Sequence, residues 1–213
     1  LSIDARTWFN EDLESRAFIL PGVIAIVMSV IGTFLTSLTI AREWERGTME
    51  QLVSTPVTPF EVITGKLIPY FVIGMIATAM CAAVGVFWFQ IPFRGGLVTL
   101  FAGSALFLAS VLGLGCGISA FARAQLVACQ ISIVATYMPS FVLSGFIFAI
   151  DQMPPHVRAV TYLVAARYYD SMLKGVFLKG VGLWELKWEL AALSALAAAT
   201  GLFAMKRFKK RID

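Results

Sequence analysis

The side chains that could do catalytic chemistry are few, and they lie together between two apolar segments. An enzyme that modifies lipid within a membrane would need a polar set, and the candidates are Asp151, His156, Arg158 and Asp170. Their spacing matches no catalytic motif, and the one histidine of the chain is typical of a surface residue. Lipid modification at this segment therefore stays an alternative rather than the leading hypothesis.

Neither the cysteines nor the glycines indicate a metal, redox or nucleotide site. Cys81, Cys116 and Cys129 lie inside apolar runs, without the spacing of a disulfide framework or a zinc finger, and are typical of small packing residues. The glycine-rich run 113–117 follows no predicted strand, and the sequence has no G-x-x-x-x-G-K-[ST] phosphate loop. We therefore expect no catalytic, cofactor-binding or metal-binding residues, and the chain is not predicted to be an enzyme.

The helices that would position any site can be predicted from the unusually apolar composition. Of the 213 residues, 59% are hydrophobic and 14% are charged, against about 25% charged in ordinary soluble domains. Between positions 67 and 150 the only charged residues are Arg94 and Arg123. A run of about 20 apolar residues is long enough to cross a bilayer as a helix. Five such runs predict an all-α integral membrane protein, at about 20–41, 67–91, 97–122, 126–150 and 190–205.

The predicted spans hold no titratable group that could bind a coupling ion, since Asp, Glu, Lys and His are absent from all five. Proton-coupled carriers place ionisable side chains at membrane depth, and voltage sensors carry rows of arginine there, so both classes are disfavoured. If the protein moves a substrate uphill, the energy must enter from a partner. The segment 42–66 is the largest candidate surface for docking that partner.

The orientation follows from the basic tail at residues 206–213. This tail carries five Lys or Arg residues directly after the last span, and cytoplasmic flanks are enriched in these residues. We therefore predict a cytoplasmic C-terminus and a cytoplasmic loop 42–66. An odd number of spans places residues 1–19 outside, as an extracytoplasmic segment leading into a transmembrane domain at 20–213. We expect that a sixth, N-terminal span precedes this segment and is missing here.

The cytoplasmic loop carries a helical pattern of its own. Thr48 and Gln51 have capping-box spacing, and Pro56 and Pro59 would stop the helix after about two turns. This predicts a short cytoplasmic helix, then a bend at the two prolines before the next span, although a solvated connector without a special role fits the spacing equally well.

The segment 151–186 is predicted to form amphipathic or re-entrant helices on the outer side. After a helix-breaking Met-Pro-Pro at 153–155, apolar residues recur at helical spacing, with polar residues on the other face. Asp170 and Lys174 form an i,i+4 pair in the favourable order.

Small residues that recur every four positions predict close helix packing in two of the spans. One ridge contains Gly113 and Gly117, and the other contains Ala195 and Ala199. In lipid, such ridges allow two helices to approach closely.

Two stretches of the chain resemble a known family. The residues from Arg42 to Pro56, which read REWERGTMEQLVSTP, are similar to the signature of type-2 ABC exporter permeases, the ABC-2 membrane proteins. The outer segment adds a looser match. It lies in Ser144-Gly145-Phe146-Ile147-Phe148, Met153-Pro154-Pro155, Ala166-Arg167-Tyr168-Tyr169 and the run 175–180. The resemblance covers essentially the whole chain.

The resemblance implies six spans per subunit and two permease subunits per transporter, as a homodimer or a heterodimer. It also implies cytoplasmic ABC ATPase subunits that bind ATP and Mg²⁺ in place of this chain. The short cytoplasmic helix is similar to the coupling helix that rests in a groove of the ATPase. The contact residues implied are Glu43, Arg46, Gly47, Thr48, Glu50 and Gln51.

The leading hypothesis is therefore the permease subunit of an efflux transporter, moving a lipophilic drug or lipid out of the cytoplasm or inner leaflet. The resemblance implies a multi-pass protein of a bacterial inner membrane, with membrane lipids and no nucleic acid among its partners. A membrane-embedded lipid-modifying enzyme and a non-transporting assembly subunit remain alternatives, and co-purification with an ATPase would discriminate among the three.

Overall fold

A computed structural model describes residues 15–48, 58–122, 124–148 and 150–207 of the protein. The regular elements within these ranges are all helical, and five helices are long and apolar enough to cross a membrane. The predicted all-α class with five spans is confirmed. The spans are α1 (Ser15–Glu45), α2 (Pro59–Phe87), α3 (Leu97–Ala122), α4 (Gln125–Leu143) and α7 (Lys187–Arg207). Between α4 and α7 lie a 3₁₀ turn (Ile150–Gln152), α5 (Pro155–Thr161), α6 (Ala165–Lys174) and a π-helical turn (Gly175–Lys179).

The helix α2 begins at Pro59, well before the apolar run that starts near position 67. Its first turn is closed by a capping box: the Thr58 N–H donates to Glu61 Oε2 at 2.7 Å, and the Glu61 N–H donates to Thr58 Oγ1 at 3.4 Å. Pro59 occupies the first helical position, where its missing N–H costs nothing. Hydropathy alone did not reveal this start, because the first two turns of the helix are partly polar.

The helix α4 ends at Leu143, before the end of the apolar run at 150. Gly145 has φ = 90°, a conformation that favours glycine, and the N–H of Phe146 donates to Ser144 Oγ at 3.3 Å. The backbone therefore turns out of the helix although its side chains stay apolar. In a bilayer, backbone of this kind is tolerated only where protein or water covers it.

Because successive spans run in alternating directions, the bundle has two distinct ends. We call the end where α1 finishes and α2 starts the elbow end. The opposite end, which holds the described residues between α4 and α7, is called the loop end. The span α3 lies at the centre, with its most extensive contacts to α7 and α1.

The contact between α3 and α7 uses the glycine ridge but not the alanine ridge. A Cβ on Gly113 would lie 2.9 Å from Thr200 Oγ1, and one on Gly117 would overlap the Phe203 ring. Ala195 and Ala199 lie on the exposed face of α7. The buried face of α7 is the opposite one, which carries Leu193 and Ala204.

The segment between α4 and α7 folds back into the bundle. Tyr169, Met172 and Phe177 are almost completely buried, and the Tyr169 ring stacks on Phe107 of α3 with ring centroids 4.0 Å apart. Phe107 lies ten residues after Leu97, so α6 reaches roughly 15 Å below the start of α3 along its axis. The predicted re-entrant helices therefore form part of the core of the molecule.

Candidate functional site

The elbow, defined here as residues 43–48, is the point where α1 ends and the backbone leaves the helical conformation. This helix runs without a break to Glu45, and the Arg46 N–H donates to Arg42 O at 3.1 Å. Gly47 follows with φ = 69°, the left-handed conformation that often ends a helix. A Cβ at Gly47 would meet no atom within 4 Å, so backbone conformation rather than crowding favours glycine there.

Four of the six predicted coupling residues lie together at this elbow. Arg46, Gly47 and Thr48 are exposed, and Thr48 Oγ1 donates to the Glu43 carbonyl oxygen at 3.4 Å. Glu43, Arg46 and Thr48 also line a shallow cavity of about 320 Å³ between α1 and α2. Glu50 and Gln51, with the rest of the predicted short helix, lie outside the described residues.

An ion pair ties the end of α1 to α2. Lys66 Nζ contacts Glu43 Oε2, and both side chains are largely buried, with 18% and 27% of their surface exposed. One turn away on each helix, Thr39 Oγ1 donates to the Tyr70 hydroxyl at 2.7 Å. Sequence reasoning placed Glu43 at the elbow but did not identify Lys66 as its partner, because the two lie far apart along the chain.

A second contact ties the elbow to α4. Glu45 Oε2 accepts a hydrogen bond from the backbone N–H of Gln125, the first residue of α4, at 3.2 Å. The N-cap position of α4 is Ala124, whose side chain cannot cap, so Glu45 supplies the anion that favours a helix N-terminus. The alanine at a predicted helix start was a sequence signal that this cap must come from elsewhere.

The loop end holds a charged cavity of about 450 Å³. Its lining includes Asp151, Arg158, Arg167, Asp170, Lys174 and Glu189, together with Tyr168 and Trp188. Lys174 Nζ lies 2.7 Å from Asp170 Oδ2, and Arg158 lies 3.3 Å from Asp151 Oδ1.

Asp170 is the buried charged residue of this cavity, with 2% of its surface exposed. Its second oxygen, Oδ1, has no hydrogen-bond partner among the described residues. Burial raises the pKa of this carboxyl above its ordinary value, and the hydrogen bond and charge of Lys174 oppose the rise. Sequence reasoning identified the pair but did not place it below the ends of the spans.

The candidate residues for a lipid-modifying enzyme are only partly brought together. Asp151, Arg158 and Asp170 line the charged cavity, whereas His156 is exposed on α5 and is not part of the lining. Each of the two carboxylates has a basic partner of its own. A general base needs a free acceptor near a substrate proton, and this arrangement favours charge pairing instead.

A second cavity lies between α1, α3, α4 and α7, and residues of α5, α6 and the turn that joins them also line it. Its volume is about 270 Å³, and its walls are mainly apolar. Its polar lining residues are Ser29, Ser110, Thr136, Ser140 and Thr200. Thr136 is 5% exposed, and its hydroxyl has no partner among the described residues. Apolar walls with a few polar groups are typical of small-molecule sites.

Comparison with known proteins gives consistent results. The model of the ABC-2 family of transporter proteins matches residues 1–206. The chain is 51% identical over 180 residues to the probable multidrug ABC transporter permease YbhS of Escherichia coli K12, covering 84% of the chain and 48% of that protein. It is 29% identical over 210 residues to the probable multidrug ABC transporter permease YbhR of the same strain, covering 97% of the chain and 56% of that protein.

The inner membrane transport permease YhhJ of Escherichia coli K12 is 27% identical over 220 residues, covering 100% of the chain and 57% of that protein. The chain thus spans about half the length of the curated relatives that it matches. With five spanning helices, the elbow after α1 and a family model that matches nearly its whole length, the chain belongs to the ABC-2 family of transporter proteins.

Proposed function

We propose that this chain is the membrane-spanning permease subunit of an ATP-driven exporter, in which a partner ATPase binds and hydrolyses ATP with Mg²⁺. The proposal has the elbow end in the cytoplasm and the loop end outside, in accord with the basic tail after α7. A second permease subunit, identical or related, completes the transporter. The names of the relatives, which are transport permeases, support this function.

The elbow is the observation that carries the proposal. The left-handed Gly47 follows the end of α1, while Glu43 contacts Lys66 of α2 and Glu45 caps α4. A force applied to the exposed face at Arg46 and Thr48 would therefore act on three spans together. Rigid helices joined at such a point can convert a small displacement into a rocking of the bundle.

The energy source follows from what the spans contain. The central parts of the five described spans carry no Asp, Glu, Lys or His, although charged residues stand at several helix ends. The buried Asp170 belongs to the re-entrant helix α6, and its charge is balanced by Lys174. This arrangement supports energy input from a partner protein rather than from an ion gradient.

The proposed substrate is a lipophilic drug or lipid with a hydrogen-bonding group. The apolar cavity between α1, α3, α4 and α7 supports this class, because a ligand there would leave water for hydrocarbon-like walls. A polar atom of the ligand would find hydrogen-bonding groups among the serine and threonine residues of the lining.

The test is purification of the intact permease with its neighbouring proteins, followed by reconstitution in proteoliposomes. We expect a stoichiometric ATPase partner and substrate-stimulated ATP hydrolysis with accumulation of substrate on one side. Lipid turnover by the permease without the ATPase would contradict the proposal and favour an enzyme. Binding of an ATPase without stimulated hydrolysis would contradict it in favour of an assembly subunit.

A further inference from the structure

Two charges of opposite sign face the loop-end cavity without an ionic partner. The ion pairs among the described residues are Lys66–Glu43, Arg158–Asp151 and Lys174–Asp170, so Arg167 and Glu189 belong to none of them. Both side chains belong to partly buried residues that line the same cavity. They are also too far apart to form a salt bridge with each other.

The remaining contacts of these two groups are weak substitutes for a counter-ion. The Arg167 guanidinium donates to Thr161 Oγ1 and lies 4.0 Å from the centroid of the Tyr162 ring. The Glu189 carboxylate accepts from Ser171 Oγ at 3.4 Å. Partial burial of an uncompensated charge is unfavourable. A ligand that carries a negative and a positive group would therefore be stabilised by pairing with Arg167 and Glu189. The other charged groups of the cavity already form ion pairs, so they need no counter-ion from a ligand.

The cavity reaches the loop end of the bundle, beside the ends of two spans. Its lining includes Ser144 and Gly145, just after the end of α4, and Trp188 in the first turn of α7. Trp184 and Trp188 are both largely exposed at this end, and such tryptophans are enriched at membrane–water interfaces. A ligand in this cavity would therefore be drawn from the interface rather than from the hydrocarbon core.

We propose that the loop-end cavity binds the headgroup of a zwitterionic phospholipid with a primary ammonium group, a phosphoethanolamine headgroup. The planar guanidinium of Arg167 would donate two parallel hydrogen bonds to the phosphate oxygens. The ammonium group would donate to Glu189 and to the hydroxyl of Ser171. A phosphoglycerol headgroup has no cation for Glu189, and a phosphocholine headgroup has no N–H donor for it.

The test is lipid binding to the intact, delipidated transporter in detergent, measured by native mass spectrometry. The probes are dioleoyl phosphatidylethanolamine, dioleoyl phosphatidylglycerol and dioleoyl phosphatidylcholine at equal concentration. We expect phosphatidylethanolamine to bind about tenfold more tightly than either other lipid, since one charge-assisted hydrogen bond accounts for a factor of that size. Arg167→Gln should weaken phosphatidylethanolamine binding by about tenfold or more.

A second variant separates a charge effect from a folding defect. Glu189→Gln should reduce phosphatidylethanolamine binding to the level of phosphatidylglycerol without weakening phosphatidylglycerol itself. Lys187→Gln and Glu185→Gln are matched controls, because both residues are exposed at the same end and neither lines the cavity, and they should leave the preference intact.

Three outcomes would overturn the proposal. These are an unchanged lipid preference in both Arg167→Gln and Glu189→Gln, equal changes in the two control variants, and competition by free phosphoethanolamine at the same concentration as the lipid. The last result would identify a soluble phosphate ester as the ligand. Because the measurement needs neither ATP nor transport, its failure would leave the proposed function untouched.

Discussion

Replacing Lys174 with methionine should lower the free energy of unfolding by about 3–5 kcal/mol, the usual cost of removing one partner from a buried ion pair. Asp170 is 2% exposed and its Oδ1 already lacks a hydrogen bond, so loss of the contact at 2.7 Å leaves a buried charge with little compensation. The measurement is denaturant unfolding of the protein in detergent micelles, followed by circular dichroism.

The pH dependence of this loss identifies its cause. Burial raises the pKa of Asp170 in the folded state above its ordinary value of 3.8, and removal of Lys174 removes the groups that oppose the rise. A carboxyl group whose pKa is higher in the folded state than in the unfolded state contributes stability at pH values below its unfolded-state pKa. That contribution is lost as the pH rises through the folded-state pKa. The Lys174→Met deficit should therefore be largest at neutral pH and shrink as the pH falls towards 4.

Two further variants serve as controls for the buried pair. The double variant Asp170→Asn with Lys174→Met removes both charges and should recover much of the lost stability. Arg158→Met breaks the exposed pair with Asp151 and should change stability by no more than about 1 kcal/mol. A deficit that is independent of pH, or a double variant as unstable as the single one, would show that the charge is not responsible.

Replacing Gly47 with proline should reduce substrate-stimulated ATP hydrolysis and transport by about tenfold or more. Proline fixes φ near −65°, whereas Gly47 has φ = 69°, so the elbow could not keep its direction without strain of about 1–3 kcal/mol. A cost of about 1.4 kcal/mol for reaching the coupled geometry corresponds to a factor of ten. The measurement is ATP hydrolysis by the reconstituted transporter with and without substrate.

The exposure of Gly47 makes this a test of coupling rather than of folding. No atom lies within 4 Å of a Cβ at this position, so the packing of α1, α2 and α4 should be unaffected and the protein should still insert. Gly47→Asn is the matched control, because asparagine tolerates the left-handed conformation and should retain most of the activity. Full coupling in Gly47→Pro would refute the role of the elbow.

The five spans could be predicted from the sequence because hydropathy and length largely determine them. The helix α3 occupies Leu97–Ala122 as expected, since Arg94 and Arg123 flank its apolar run on both sides. The start of α2 at Pro59 and the end of α4 at Leu143 were missed for a different reason. Capping hydrogen bonds and a left-handed glycine set these two ends, and neither appears in a hydropathy pattern.

The placement of the re-entrant helices could not be predicted from the sequence. Helical spacing predicted that 151–186 would be amphipathic, but not that Tyr169 would stack on Phe107 or that its hydroxyl would lie 3.0 Å from Ser104 Oγ. These contacts join residues far apart in the chain, and a local pattern carries no information on such pairings. The burial of Asp170 follows from the same packing.

The elbow, too, could be predicted only in part from the sequence. The sequence placed Glu43, Arg46, Gly47 and Thr48 in one segment because they are adjacent in the chain. The contact between Glu45 and the N-terminus of α4 connects residues 80 positions apart, so no local pattern could identify Glu45 as the capping residue. It is this contact that makes the elbow a junction of several spans instead of a simple connector.

The central claim is that force enters the bundle at the elbow from an ATPase on the cytoplasmic side. A single cysteine at this point, Thr48→Cys in a chain whose Cys81, Cys116 and Cys129 are replaced by serine, tests it most directly. We predict that a short bismaleimide crosslinks this position to the ATPase, with a yield that changes on ATP binding. Labelling of the same cysteine in intact cells by a membrane-impermeant maleimide, without any crosslink to an ATPase, would contradict the account.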